Sequence, residues 1–167
     1  MNDFLNTQES RKNNRTKNIV AVIVGVVSFI VVFLAAFFTT RYLTSTFFSK
    51  AKNDLVTDEM KNQIAEMNQQ LPQIIEEGVR LDSVALKGEK TMGYYVTLFN
   101  FDSEGVEFDA SAAKEAIVQN LKSNRGKMRF FIDNNITLYY YYYDKNKKVV
   151  TEIEIAPSLY KYLTIKN

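Results

Sequence analysis

Neither cysteine nor histidine occurs anywhere in the 167-residue chain. Without thiols there are no disulfides, thiolate nucleophiles, iron–sulfur clusters or thiolate zinc sites. Without imidazoles the commonest general base and metal ligand are gone, and with them any Ser-His-Asp or Cys-His arrangement built within this chain. Tryptophan is absent too, so the aromatic content rests on 10 Tyr and 12 Phe. Neither sign of charge prevails: 21 Lys and Arg stand against 19 Asp and Glu, a formal net charge of +2. A balance so mild, with no tract of basic residues interleaved with aromatics, implies no nucleic-acid partner. Any chemistry here would have to run on carboxylates, Lys, Tyr or Ser.

Ile19 to Phe38 carries no charged residue, and only Gly25 and Ser28 interrupt its apolar run. A helix of that length spans about 30 Å, the thickness of a bilayer core. The run is longer than the apolar region of a cleaved signal peptide and leaves through Phe37, Phe38, Thr39 and Thr40 without a small-x-small site. It reads as an uncleaved single-pass signal-anchor. Arg11, Lys12, Arg15 and Lys17 precede it and only Arg41 follows closely. That bias predicts a cytoplasmic N-terminus and an extracytoplasmic C-terminal domain at the cell membrane. Ala21, Gly25 and Ser28 share one side at a spacing that favours close helix pairing, a route to a homodimer within the bilayer.

The rest divides by pattern. Residues 1–18 are polar and aperiodic, a cytoplasmic tail; 19–40 form the transmembrane helix. Residues 41–78 make an amphipathic helical segment, because Val56, Met60, Ile64, Met67, Leu71 and Ile74 recur at spacings of three and four. Pro72 predicts a kink or restart, a short helical turn through Ile74 and Ile75, and a stop at Gly78. Residues 79–157 form an α+β domain and 158–167 a C-terminal extension. Within the domain, Val79–Lys87 and Thr91–Phe101 flank a Gly88-Glu89-Lys90 turn. Asp109 caps a helix through Leu121, Met128 to Asp133 make a short helical turn, and Ile136–Asp144 pairs with Lys148–Ala156. The expected architecture is α+β: an N-terminal transmembrane helix, then helix, hairpin, helix, hairpin, with two helices on a four-stranded antiparallel sheet.

Five consecutive tyrosines, Tyr139 to Tyr143, sit inside a strand. Side chains alternate across a strand, so Tyr140 and Tyr142 join Ile136 and Leu138 on the core face. Tyr139, Tyr141 and Tyr143 are left on the open face near Glu152 and Glu154, where they are the candidate binding residues. Other candidate chemistry is thinner. Ser111 and Lys114 match a Ser-x-x-Lys pattern without its companion motifs. Asp102, Glu104, Glu107 and Asp109 could offer oxygens to a cation but lack the EF-hand spacing. Glu76 and Glu77 are adjacent and diverge, a poor acid–base pair. No Gly-rich phosphate loop occurs, and no cofactor or metal is implied.

Leu71-Pro72, Gly78, Arg80-Leu81-Asp82-Ser83, Met128-Arg129, Phe131-Ile132-Asp133-Asn134 and Tyr142-Tyr143-Asp144-Lys145-Asn146 stand in this order. Over about residues 65–157 they resemble a family of small membrane-anchored bacterial envelope domains of unknown function. The resemblance implies an envelope location and supplies no catalytic residues. The functional expectation is a membrane-anchored, non-enzymatic binding or assembly module. It would contact the lipid bilayer and an unknown envelope protein or wall component. One alternative is a structural subunit of a membrane complex, contacting partners through the anchor and residues 56–74. Another is a carboxylate-dependent enzyme using Asp102 or Glu107.

Overall fold

Apolar residues recur with a helical period up to residue 67 and alternate from residue 79 onward, and the backbone follows both patterns. The structure, a computed structural model, describes residues 53–104 and 107–161. Helix α1 (Asn53–Asn68) turns Met60, Ile64 and Met67 inward, the stripe that its three- and four-residue spacing sets on one side. Pro72 cannot donate a backbone hydrogen bond and disfavours helical geometry at Leu71, so the helix does not resume.

The short helical turn expected through Ile74 and Ile75 is instead strand β1 (Gln73–Glu76), paired antiparallel with β2 (Val79–Gly88). Gly78 is a turn residue here and not a helix stop. Its φ of +81° suits glycine, and a Cβ would stand 2.9 Å from Asn100 Nδ2. A bulge at Ile75 then turns that side chain inward while Ile74 faces out.

Strand β3 (Thr91–Leu98) returns antiparallel beside β2. The chain next crosses through α2 (Ala110–Ser123) and α3 (Arg129–Asn134) before β4 (Thr137–Asp144), and β5 (Val149–Ile155) pairs antiparallel with β4. The crossover brings the chain back to the start of β3, so β3 and β4 run parallel, Thr91 beside Thr137 and Leu98 beside Asp144. The expected four-stranded antiparallel sheet is therefore corrected to a five-stranded mixed sheet of order β1-β2-β3-β4-β5. A crossover that returns the chain to the start of β3 makes β4 parallel to it when the two lie side by side, and Gln73–Glu76 adds a fifth strand where a helical turn is expected.

The expected N-terminal transmembrane helix is likewise withdrawn on the described residues. Residues 19–40 lie outside those described, and no helix among the described residues is long and apolar enough to cross a membrane. At the other end, Pro157 stops β5 and opens α4 (Pro157–Lys161). There Tyr160 is fully buried and its hydroxyl donates to the carbonyl oxygens of Ile136 and Phe131.

One core joins all of this. Met60, Ile64 and Met67 of α1, Ile117 and Leu121 of α2, Phe131 of α3 and Tyr160 of α4 pack in one cluster with Leu81, Val96, Tyr140 and Ile155 of the sheet. The four helices among the described residues thus contribute to the same face.

Where β1 has ended, the exposed edge of β2 is met by a side chain. The Asn68 carboxamide donates to the Val84 carbonyl (2.8 Å) and accepts from the Val84 N–H (2.9 Å), doing what a neighbouring peptide group would do. Asn68→Ala strips both bonds from a partly buried peptide unit and should cost about 1–2 kcal/mol. Urea unfolding would show this as a lower midpoint at unchanged slope.

Candidate functional site

Strands β2 to β5 place one alternate set of side chains on the face away from the helices. Across β2, β3, β4 and β5 one row reads Ser83, Tyr95, Tyr141 and Glu152, and the row beside it Ala85, Gly93, Tyr139 and Glu154. A third row crosses all five strands as Ile74, Arg80, Thr97, Tyr143 and Val149. The structure therefore brings Tyr139, Tyr141 and Tyr143 together on one face. It adds a tyrosine that local pattern did not select, Tyr95, because the parallel pairing of β3 with β4 sets it beside Tyr141.

The four rings are half-buried, largely by one another. Tyr95 and Tyr141 stack at 4.9 Å with 12° between planes, and Tyr139 lies 6.1 Å from Tyr141 at 17°. The Tyr139 hydroxyl donates to Glu154 Oε2 at 2.6 Å, which holds its phenol above the ordinary range. Burial pushes the Tyr143 phenol up as well. Lys87 completes the group, its Nζ standing 5.3 Å from the Tyr95 centroid and 5.1 Å from that of Tyr141. The Tyr95 phenol beside the ammonium raises the lysine above its usual range.

Charge on the β2 side is locally answered: Asp82 accepts from Arg80 Nε and from the Thr97 hydroxyl. At the margins, Ile74 and Val149 are 65% and 54% exposed, an unusual degree for such side chains at both ends of one row.

The remaining candidates are not assembled into a site. Asp102 pairs with Lys145 at 2.7 Å, and that contact holds its carboxyl below the usual carboxylate range. Asp109 caps α2 by accepting from the Ala112 N–H at 2.8 Å. Glu104 and Glu107 are exposed, and no three acidic residues among those described converge to hold a metal ion. Ser111 and Lys114 both face solvent on the first turns of α2. Glu76 is half-buried in β1 and Glu77 exposed in the turn, so they do not work as a pair; desolvation raises the Glu76 carboxyl. The stripe at 56–74 is largely engaged within the domain, because Met60, Ile64 and Met67 belong to its core.

A family profile matches residues 45–151, most of the chain, and its description is a domain of unknown function, DUF8479. The chain belongs to the DUF8479 family. No curated protein matches it. Solved structures share the fold of this DUF8479 domain at low identity. A Pseudomonas aeruginosa protein described as secreted is 12% identical, covers 66% of this chain and 98% of its own, and superposes at a TM-score of 0.53. The pilotin of the Vibrio vulnificus type 2 secretion system, EpsS, is 7% identical, covers 66% and 96%, and also gives 0.53.

The single-pass cell-membrane localisation expected for the chain is withdrawn, because no helix among the described residues is long and apolar enough to cross a membrane. The bilayer contact and the homodimer through Ala21, Gly25 and Ser28 fall on residues outside those described.

One carboxylate organises the end of the sheet behind this face. Asp144 is fully buried and accepts from the Ser103 hydroxyl and N–H, from Asn146 N–H and from Lys148 N–H. The Ser103 hydroxyl leads in pulling its pKa from 3.8 down to about 2. A carboxylate lowered by folding contributes stability that is complete above its unfolded value near 3.8 and is lost as pH falls through about 2. Asp144→Asn should therefore lower the melting temperature at pH 7, and the gap between variant and native chain should close as both are titrated toward pH 2.

Proposed function

We propose that this DUF8479 domain is a non-enzymatic binding and assembly module of the bacterial cell envelope, docking a protein partner on the tyrosine face of its sheet. The observation that carries the reading is the face itself, which none of the described helices covers. Tyr95, Tyr139, Tyr141 and Tyr143 stand on it, and Ile74 and Val149 are exposed along its third row. Tyrosine suits such a surface because a stiff ring gives broad apolar contact at small entropic cost and its hydroxyl keeps a polar handle.

Three further points support the reading. The chain offers no imidazole or thiol, and the carboxylates closest to a catalytic pattern are engaged in an ion pair, a helix cap or solvent. The stripe that would serve a complex through residues 56–74 is mostly core. The shared fold includes a pilotin of a type 2 secretion system.

The test is to replace Tyr139, Tyr141 and Tyr143 together by Ser. Half-exposed positions tolerate polar substitution, so far-ultraviolet circular dichroism should be unchanged. Proteins crosslinked to the native chain in cells of its own species, identified by mass spectrometry, should lose at least one specific member with the triple variant. A Tyr→Phe triple should retain it in part. An identical set of crosslinked proteins for the native and Ser chains would remove the face from the function.

A further inference from the structure

We infer that the partner presents a basic segment to this face, with Lys87 occupying the place of its cation while the face is empty. The inference rests on the docking role proposed above and names the chemistry of what docks.

Lys87 already shows what the tyrosines hold. Its ammonium lies over Tyr95 and Tyr141 at 5.3 and 5.1 Å, where the electron-rich faces of both rings attract a cation. It makes no ion pair among the described residues; the two rings are what receive it. The path of its stem is open because residue 93 is glycine. A Cβ there would meet Lys87 Cγ at 3.4 Å and Tyr141 Cε2 at 3.3 Å. The small side chain of Ala85, in register with Gly93, extends the same shallow depression. Lys87 is itself exposed, and with its side chain swung away the small residues Gly93 and Ala85 would leave a depression beside Tyr95, Tyr139 and Tyr141.

The charges around that depression favour the same occupant. Glu152 lies beside Tyr141 and Glu154 beside Tyr139, both exposed on β5. Arg80 is answered by Asp82, so along these rows, among the described residues, Lys87 stands against two carboxylates. An anionic segment would meet those carboxylates and the ring faces. A basic segment would meet attraction from both, and an arginine would add flat stacking on the rings. Lys87 is then a competitor of the partner and not its receptor, and this fixes the sign of the test.

The experiment uses the full chain, a fluorescein-labelled tetra-arginine peptide and a tetra-glutamate counterpart, followed by fluorescence anisotropy at low ionic strength. Tetra-arginine should bind and tetra-glutamate should not. Lys87→Gln should tighten tetra-arginine binding by roughly two- to fivefold, the weight of one exposed cation–π contact. Glu154→Gln and Glu152→Gln should each weaken it, and high salt should weaken it in all variants.

Weaker tetra-arginine binding by Lys87→Gln, or a preference for tetra-glutamate, overturns the inference and makes the partner acidic. Full binding by the Tyr139, Tyr141 and Tyr143 triple Ser variant also overturns it, since the peptide then sits elsewhere. Should tetra-arginine fail to bind while the crosslinked partner still depends on those tyrosines, the basic chemistry is wrong and the docking role stands.

Discussion

The register between β3 and β4 is the constraint on which the two faces of this domain depend. The strands meet as a parallel pair from Thr91 beside Thr137 to Leu98 beside Asp144, through a crossover over residues 99–136 that includes both α2 and α3. A slip of one residue in either strand would send its whole inward set outward. Here that would exchange Tyr140 and Tyr142 for Tyr139, Tyr141 and Tyr143, and break the stack of Tyr95 on Tyr141. Aliphatic neighbours discriminate the two arrangements. Met92, Val96, Leu98 and Leu138 are buried with Tyr94, Tyr140 and Tyr142, and none of those aliphatic side chains would be comfortable facing solvent.

The same residue type thereby takes two roles a few ångströms apart. Tyr94 and Tyr140 stack at 5.1 Å inside the core, and burial raises both phenols well above the ordinary range. Tyr160 finds carbonyl partners on α3 and beside β4, tying the last helix to the crossover. The Tyr142 hydroxyl is buried among Phe108 and Tyr140 with no hydrogen-bond partner, which costs about 1–3 kcal/mol. Ring packing must offset that cost. On the opposite face the hydroxyls stay near solvent or, at Tyr139, meet a carboxylate. A surface that is aromatic yet hydrated can remain exposed without driving aggregation, as a docking face requires.

Much of the site's composition could be read locally. Alternation alone divides the tyrosine run, and the Ile153 and Ile155 spacing says which half is inward. Asp109 announces its helix because a short side chain before an apolar run caps free N–H groups. What could not be read locally is pairing. Tyr95 and Lys87 lie more than 40 residues before Tyr141, and nothing in their own neighbourhood says that β3 and β4 run parallel. Strand β1 escaped for a related reason: four residues cannot show a period, and only the turn at Gly78 and the ladder to β2 make Gln73–Glu76 a strand. The acidic loop at 102–109 read as a possible cation site until Lys145, Ala112 and solvent divided its carboxylates.

The sequence by itself determined the excluded chemistry, the inward stripe of α1 and the division of Tyr139–Tyr143 into two sets, because absence and short-range period need no partner strand. The tertiary structure alone decided the five-stranded mixed order, the placing of the four described helices on one face, and the meeting of Lys87, Tyr95, Tyr141 and Glu152. Those depend on contacts between residues far apart in the chain, whose energy appears only once the crossover has closed and the sheet is in register.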